Sequence, residues 1–140
     1  MEAVKLLCTE VPDNPALGFT NAWRVGPEVV MSGMTARAAP GQAATPASAY
    51  DQTLVVFRKL EALVTAAGGH KHNLIKTVVY LTDMQDREAV ARARKDFFGP
   101  EGVGCYPTST LVAVSALVAP ELKVEIDAWA RLDVDLRGAA

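Results

Sequence analysis

Glu125 and Asp127 alternate along the stretch KVEIDAWAR, residues 123–131. In an extended strand, residues two apart leave the same face, so the two carboxylates stand side by side, roughly 6.6–6.8 Å apart by strand rise. A carboxylate held in this way can activate or orient a water molecule. The same spacing also suits a solvated sheet face on which Lys123 and Arg131 act as charge partners. Just upstream, Thr108, Ser109 and Thr110 place three hydroxyls at the start of a strand. They can bind a carboxylate or carbonyl, or simply satisfy backbone groups at the strand entry. His70 and His72 flank Lys71 in a polar connection with no third ligand close by in sequence, short of a zinc set, so a solvated turn and no metal site are expected. Cys105 lacks a recognisable base and reads as an unreactive thiol. Gly68-Gly69 opens no helix in a phosphate-binding pattern.

These residues need a scaffold. Period-two alternation predicts strands at residues 108–117 and 122–132, with Ala119-Pro120-Glu121 turning between them. In the second strand Val124, Ile126, Ala128 and Ala130 share one face, and Lys123, Glu125, Asp127, Trp129 and Arg131 share the other. Residues 19–33 read as a hairpin about Gly26-Pro27, with residues 1–18 an irregular arm and 34–48 a loop rich in Pro and Gly. A helix is expected over 50–67, its inner stripe carried by Tyr50, Leu54, Phe57, Leu60 or Ala62, and Val64. Ser48 caps it and Gly68-Gly69 stop it. Residues 74–82 form a strand buried on both faces. A second helix spans 87–98 after Asp86, with Val90 and Phe97 inward, and Gly99-Pro100 ends it. The order β-β-α-β-α-β-β gives a two-layer α+β domain covering residues 1–140. Two helices cover one face of such a sheet, and the apolar residues on the other face call for further copies of the chain.

Composition bounds the function. The chain has 140 residues, half of them hydrophobic, and a net charge of −2. One domain with a real core fits this length. The charge gives no broad signal for nucleic acid or an anionic membrane. No apolar run reaches the roughly 18 residues of a membrane span. With no signal-peptide layout and two cysteines, Cys8 and Cys105, that make no disulfide framework, a cytoplasmic protein with free thiols is expected.

Four segments in this order resemble the RidA/YjgF/UK114 family of reactive intermediate deaminases. They are Val25-Gly26-Pro27 with Met31-Ser32-Gly33, the helix from Leu54 to Gly68, the run IKTVVYLTDM from Ile75 to Met84 continued to Phe97-Phe98, and Tyr106-Pro107-Thr108-Ser109-Thr110 through Val124-Glu125-Ile126-Asp127-Ala128. The resemblance implies a chorismate-mutase-like fold and a homotrimer with its sheets packed at the centre. It also implies ligand clefts between subunits, and hydrolysis of reactive enamines and imines to ketoacids and ammonia without metal or organic cofactor.

Residue by residue, the family's water-positioning glutamate falls on Glu125 and its cleft Ser-Gly on Ser32 and Gly33. The substrate-binding arginine falls on Ser109, the cleft tyrosine on Phe19 and the cleft asparagine on Ala91. A serine cannot reproduce a bidentate guanidinium–carboxylate pair, so a divergent member is expected. Its substrate would be neutral or derived from an aromatic compound, as in the related 2-aminomuconate deaminases, unless Arg24, Arg37 or Arg94 supplies another cation. Glu125 and Ser109 are then the expected catalytic pair, with Phe19, Ser32, Gly33, Ala91, Tyr106, Thr108 and Thr110 binding substrate. A non-catalytic metabolite-binding protein using the same cleft is the alternative. An RNA-acting or chaperone-like role is disfavoured by the acidic balance.

Overall fold

The computed structural model describes residues 1–138. In chain order the strands and helices are β1 (Ala3–Lys5), β2 (Ala22–Val25), β3 (Glu28–Met31), β4 (Met34–Thr35), α1 (Ala49–Ala66), β5 (Leu74–Leu81), α2 (Arg87–Phe98), β6 (Thr108–Ala113) and β7 (Val124–Arg131). Gly26 takes φ 59° ahead of Pro27 and closes the β2–β3 hairpin, pairing Val25 with Glu28. A positive φ at the first central residue is what a type II′ hairpin turn requires.

Local signals also set the helix ends. Ser48 accepts the Asp51 N–H at the start of α1. At its end, Gly68 N–H reaches Thr65 O and Gly69 N–H reaches Val64 O, a Schellman closure with Gly68 at φ 93°. The α2 bounds coincide with the sequence expectation, although Asp86 makes no side-chain cap bond.

The sheet runs β1-β2-β3-β7-β5-β6, with β4 adding to β7 beyond the end of β3. β5 and β6 are parallel across the α2 crossover, and the remaining pairs are antiparallel. The fold is therefore the expected two-layer α+β domain, with additions. Residues 1–18 are not wholly irregular, because Ala3–Lys5 pairs with β2, and Leu6 and Val11 are buried. The expected loop at 34–48 begins with β4, which pairs Met34 with Ile126 and Thr35 with Glu125. The turn at 119–122 is present, but the strands on either side of it are not neighbours, since β5 lies between β6 and β7.

The core lies between the helices and one sheet face. Val124, Ile126, Ala128 and Ala130 of β7 and Thr77, Val79 and Leu81 of β5 point into it. Phe57 of α1 meets Phe97 and Phe98 of α2 at 5.1 and 5.7 Å between ring centres. The inner stripe of α1 differs from its expected composition: Gln52 and Thr53 are fully buried, while Tyr50 and Leu54 are half-exposed. Gln52 is tolerated because Nε2 donates to Pro46 O and Glu121 O while Oε1 accepts the Lys123 N–H.

β5 is central in the sheet, but only one of its faces is fully covered. Ile75, Val78 and Tyr80 are half-buried and Lys76 is exposed, because no layer among the described residues lies over the opposite face. On that open face Trp23, Val30, Trp129 and Val112 stand exposed. His72 is not in a solvated turn. It is buried against Phe98 with Nδ1 unpartnered, and burial lowers its pKa.

Candidate functional site

The structure divides the expected site residues into two groups on opposite faces of the sheet. Glu125 stands beside Tyr80, which stands beside Val112, all on the open face. Ser109 stands beside Thr77, which stands beside Ala128, all turned towards the helices. Parity is strict along a strand, so one copy of the chain cannot bring the Glu125 carboxylate and the Ser109 hydroxyl to one small molecule.

The first group surrounds the carboxylates. The connection from β3 to β4 runs across β7 so closely that a Cβ on Gly33 would lie 2.7 Å from Asp127 Oδ1 and 3.3 Å from Glu125 Cγ and Cδ. Tyr80 Oη donates to Asp127 Oδ2 at 3.0 Å. Burial first, and the neighbouring Asp127 second, push the Glu125 carboxyl above its ordinary pKa. The charge partners that sequence offered are not used: Arg131 pairs with Glu28 and Asp133 at the far end of β7. Among the described residues no cation lies within ion-pair distance of Glu125 or Asp127.

Phe19, Gly33, Met34 and Thr35 line a groove of about 830 Å³ that continues past Arg37 and Lys59. Ser32 lies beside Gly33, but its hydroxyl donates to Thr20 O at 2.7 Å and its N–H to Asn21 O. Its side chain therefore holds the hairpin in place.

The second group lies where α2 meets the start of β6. Ala91, Arg94, Lys95, Tyr106 and Pro107 line an open cavity of about 200 Å³ at the surface. Arg94 Nη1 donates to Ser109 Oγ at 2.9 Å. Thr108 is tied to β5, its Oγ1 donating to Ile75 O while its carbonyl accepts from Thr77 Oγ1. Thr110 is exposed on the open face beside Val78. Of the three arginines considered from sequence, Arg24 turns back to Gly26 O at the hairpin, Arg37 lies exposed at the first groove, and Arg94 reaches the second group. The Arg94–Ser109 bond has no sequence signature, since fifteen residues and a crossover connection separate the two.

Likeness to known proteins defines the class. Residues 10–132 match the family model described as Endoribonuclease L-PSP. The chain belongs to that family, the RidA/YjgF/UK114 group, and its fold is the chorismate-mutase-like α+β fold of those proteins. A crystal structure of a protein of unknown function from Pseudomonas aeruginosa is 49% identical, with TM-score 0.90 and 99% of each chain covered. A Mycobacterium tuberculosis member of the YjgF/YER057c/UK114 family is 28% identical with TM-score 0.76, over 93% of this chain and 99% of that one. TdcF of Escherichia coli is 35% identical over 85 residues, 61% of this chain and 64% of TdcF. The chain thus spans a little under two thirds of that relative in sequence. The TdcF structure, determined with bound serine, has TM-score 0.72 at 31% identity over 81% and 87% of the two chains. No helix among the described residues is long and apolar enough to cross a membrane.

Proposed function

We propose that the protein is a metal-independent hydrolase of small imines or enamines, working in a cleft formed between copies of the chain. The observation that carries this reading is Glu125: a half-buried carboxylate without a cation, overlaid by Gly33 and raised in pKa by burial. Such a group is a stronger base than an ordinary glutamate, able to take a proton from water and return it. In the proposed step the Glu125 carboxylate accepts a proton from water as the oxygen bonds to the imine carbon. The proton passes to the nitrogen to give a carbinolamine; Glu125 then takes the carbinolamine hydroxyl proton and delivers it to the nitrogen as the carbon–nitrogen bond breaks, and a carbonyl compound and ammonia leave. An enamine enters as its imine tautomer. Main-chain groups near Gly33 and the loop from Tyr106 to Ser109 would hold the substrate's oxygen atoms.

Opposed faces for Glu125 and Ser109 support a cleft with one wall from each of two copies. The exposed Trp23, Val30, Trp129 and Val112 on the open sheet face support a homotrimer that packs these faces together at its centre. TdcF is known with bound serine, which supports a small amino-acid-derived ligand. A product of aromatic ring cleavage, as for 2-aminomuconate deaminases, is a special case of the same chemistry.

The test is ammonia release from freshly generated imines and enamines, with sedimentation for oligomeric state. Wild type should turn over at least one of them as a trimer, and Glu125→Gln should lose most turnover while still binding product. If wild type binds ketoacids but hydrolyses nothing, the cleft belongs to a metabolite-binding protein instead.

A further inference from the structure

We propose that Arg94, presented from α2 and held by Ser109, is the carboxylate-binding group of this cleft, so that the substrates are carboxylated imines and enamines. The inference rests on the hydrolase reading for its substrate class, and it reverses the expectation of a neutral substrate drawn from Ser109 alone. The guanidinium is still there, but it comes from a helix instead of the strand.

The geometry is specific. Ala91, Arg94 and Lys95 fall at i, i+3 and i+4, one face of α2, and that face lines the cavity with Tyr106 and Pro107. Ala91 contributes only a methyl group there, which leaves room beside the guanidinium. Ser109 Oγ accepts from Nη1 at 2.9 Å and orients the fork. Five N–H donors radiate from a guanidinium, so one bond to a neutral hydroxyl leaves donors for a bidentate carboxylate.

The electrostatics point the same way. Arg94 is half-buried, and burial lowers its pKa from the ordinary arginine value. Among the described residues no carboxylate lies within ion-pair distance of it. By contrast, Arg131 and Arg137 each hold a neighbouring aspartate at 2.8 Å. A partly desolvated cation with a neutral partner and an adjoining cavity is a site that an anion completes. Lys95 adds a second positive charge at the rim.

The test uses calorimetric titration of the full chain with pyruvate and with its uncharged isostere pyruvamide. Wild type should prefer pyruvate. Arg94→Gln should weaken pyruvate about tenfold to a hundredfold, the loss of a charge-assisted pair, and weaken pyruvamide much less. Arg94→Lys, which keeps the charge and serves as the folding control, should recover only part of the affinity. Ser109→Ala should weaken pyruvate less than Arg94→Gln does. Equal affinity of wild type and Arg94→Gln for pyruvate, or tighter binding of inorganic phosphate than of pyruvate, overturns the inference.

Turnover separates it from the hydrolase reading. Imines made by an amino-acid oxidase carry the carboxylate, and those made from benzylamine by an amine oxidase do not. Arg94→Gln should raise KM for the first set at least about tenfold more than for the second, with little change in kcat for the first. Arg94-dependent pyruvate binding with no turnover of any imine keeps the anion site and removes the hydrolase. Turnover whose KM ratio between the two sets ignores Arg94 keeps the hydrolase and removes the anion site.

Discussion

Gly33 and Asp127 pack so closely that a methyl group on Gly33 would lie 2.7 Å from Asp127 Oδ1. The φ of Gly33 is not in the left-handed region, so space alone demands glycine here. This contact links the hairpin to the carboxylates. It lays main chain over Glu125, removes water from one side of it, and so contributes to the burial that raises its pKa.

Gly33→Ala should therefore destabilise the protein by about 1–3 kcal/mol, the usual cost of overpacking a tight site. Urea denaturation measures it. The substitution should also cut ammonia release more than a comparably destabilising change far from the cleft, because the main chain must lift off Glu125. A Gly33→Ala protein as stable as wild type would mean that β4 slides without cost.

In the proposed hydrolysis the titration of Glu125 sets the pH dependence. As a base it must be ionised, so kcat/KM should rise with pH through a value above the ordinary glutamate range. Burial is the larger cause and Asp127 the smaller, so Asp127→Asn should move the acid limb to lower pH without restoring it fully. The amide still accepts from Tyr80, which keeps the geometry. For stability the sign is opposite to that of a salt-bridged acid. Glu125 binds its proton more tightly folded than unfolded, so its contribution is greatest below the unfolded pKa and is lost as pH rises through the folded one. Glu125→Gln should then be more stable than wild type at pH 7.5, and the gain should fade below about pH 4. Urea midpoints at the two pH values decide it.

Local chemistry was legible in the sequence, and relations between strands were not. Ser48, Gly68-Gly69 and Gly26-Pro27 fixed ends and turns correctly because a cap or a tight turn is decided within a few residues. Alternation also assigned Glu125 to the face opposite Ile126. The placement of β7 between β3 and β5 depends on pairing across the chain, which no window of residues contains. For the same reason sequence joined Ser109 and Glu125 in one site without seeing that their side chains leave opposite faces. Polar residues in the core were missed where hydropathy alone was read: Gln52 and His72 are buried, the first with all its bonds made.

Gln52 gives the last prediction. Its amide joins the residue before the α1 cap region, Pro46, to the connection that leads into β7, through Glu121 O and Lys123 N–H, at 2.8–2.9 Å. Gln52→Ala would leave two carbonyls and one N–H without this partner, and water entering the space would recover part of the loss. The net cost should be about 2–4 kcal/mol. Gln52→Glu keeps the acceptor, loses both donors and buries a charge, so it should be worse than Gln52→Ala at neutral pH and recover partly in acid, where the protonated carboxyl regains one donor. Lys123 is two residues before Glu125, so the clamp also sets where the strand that carries Glu125 begins. Faster amide exchange at Lys123 and reduced ammonia release should accompany the loss of stability in both variants. Unchanged exchange at Lys123 would show that β7 holds its entry without the glutamine.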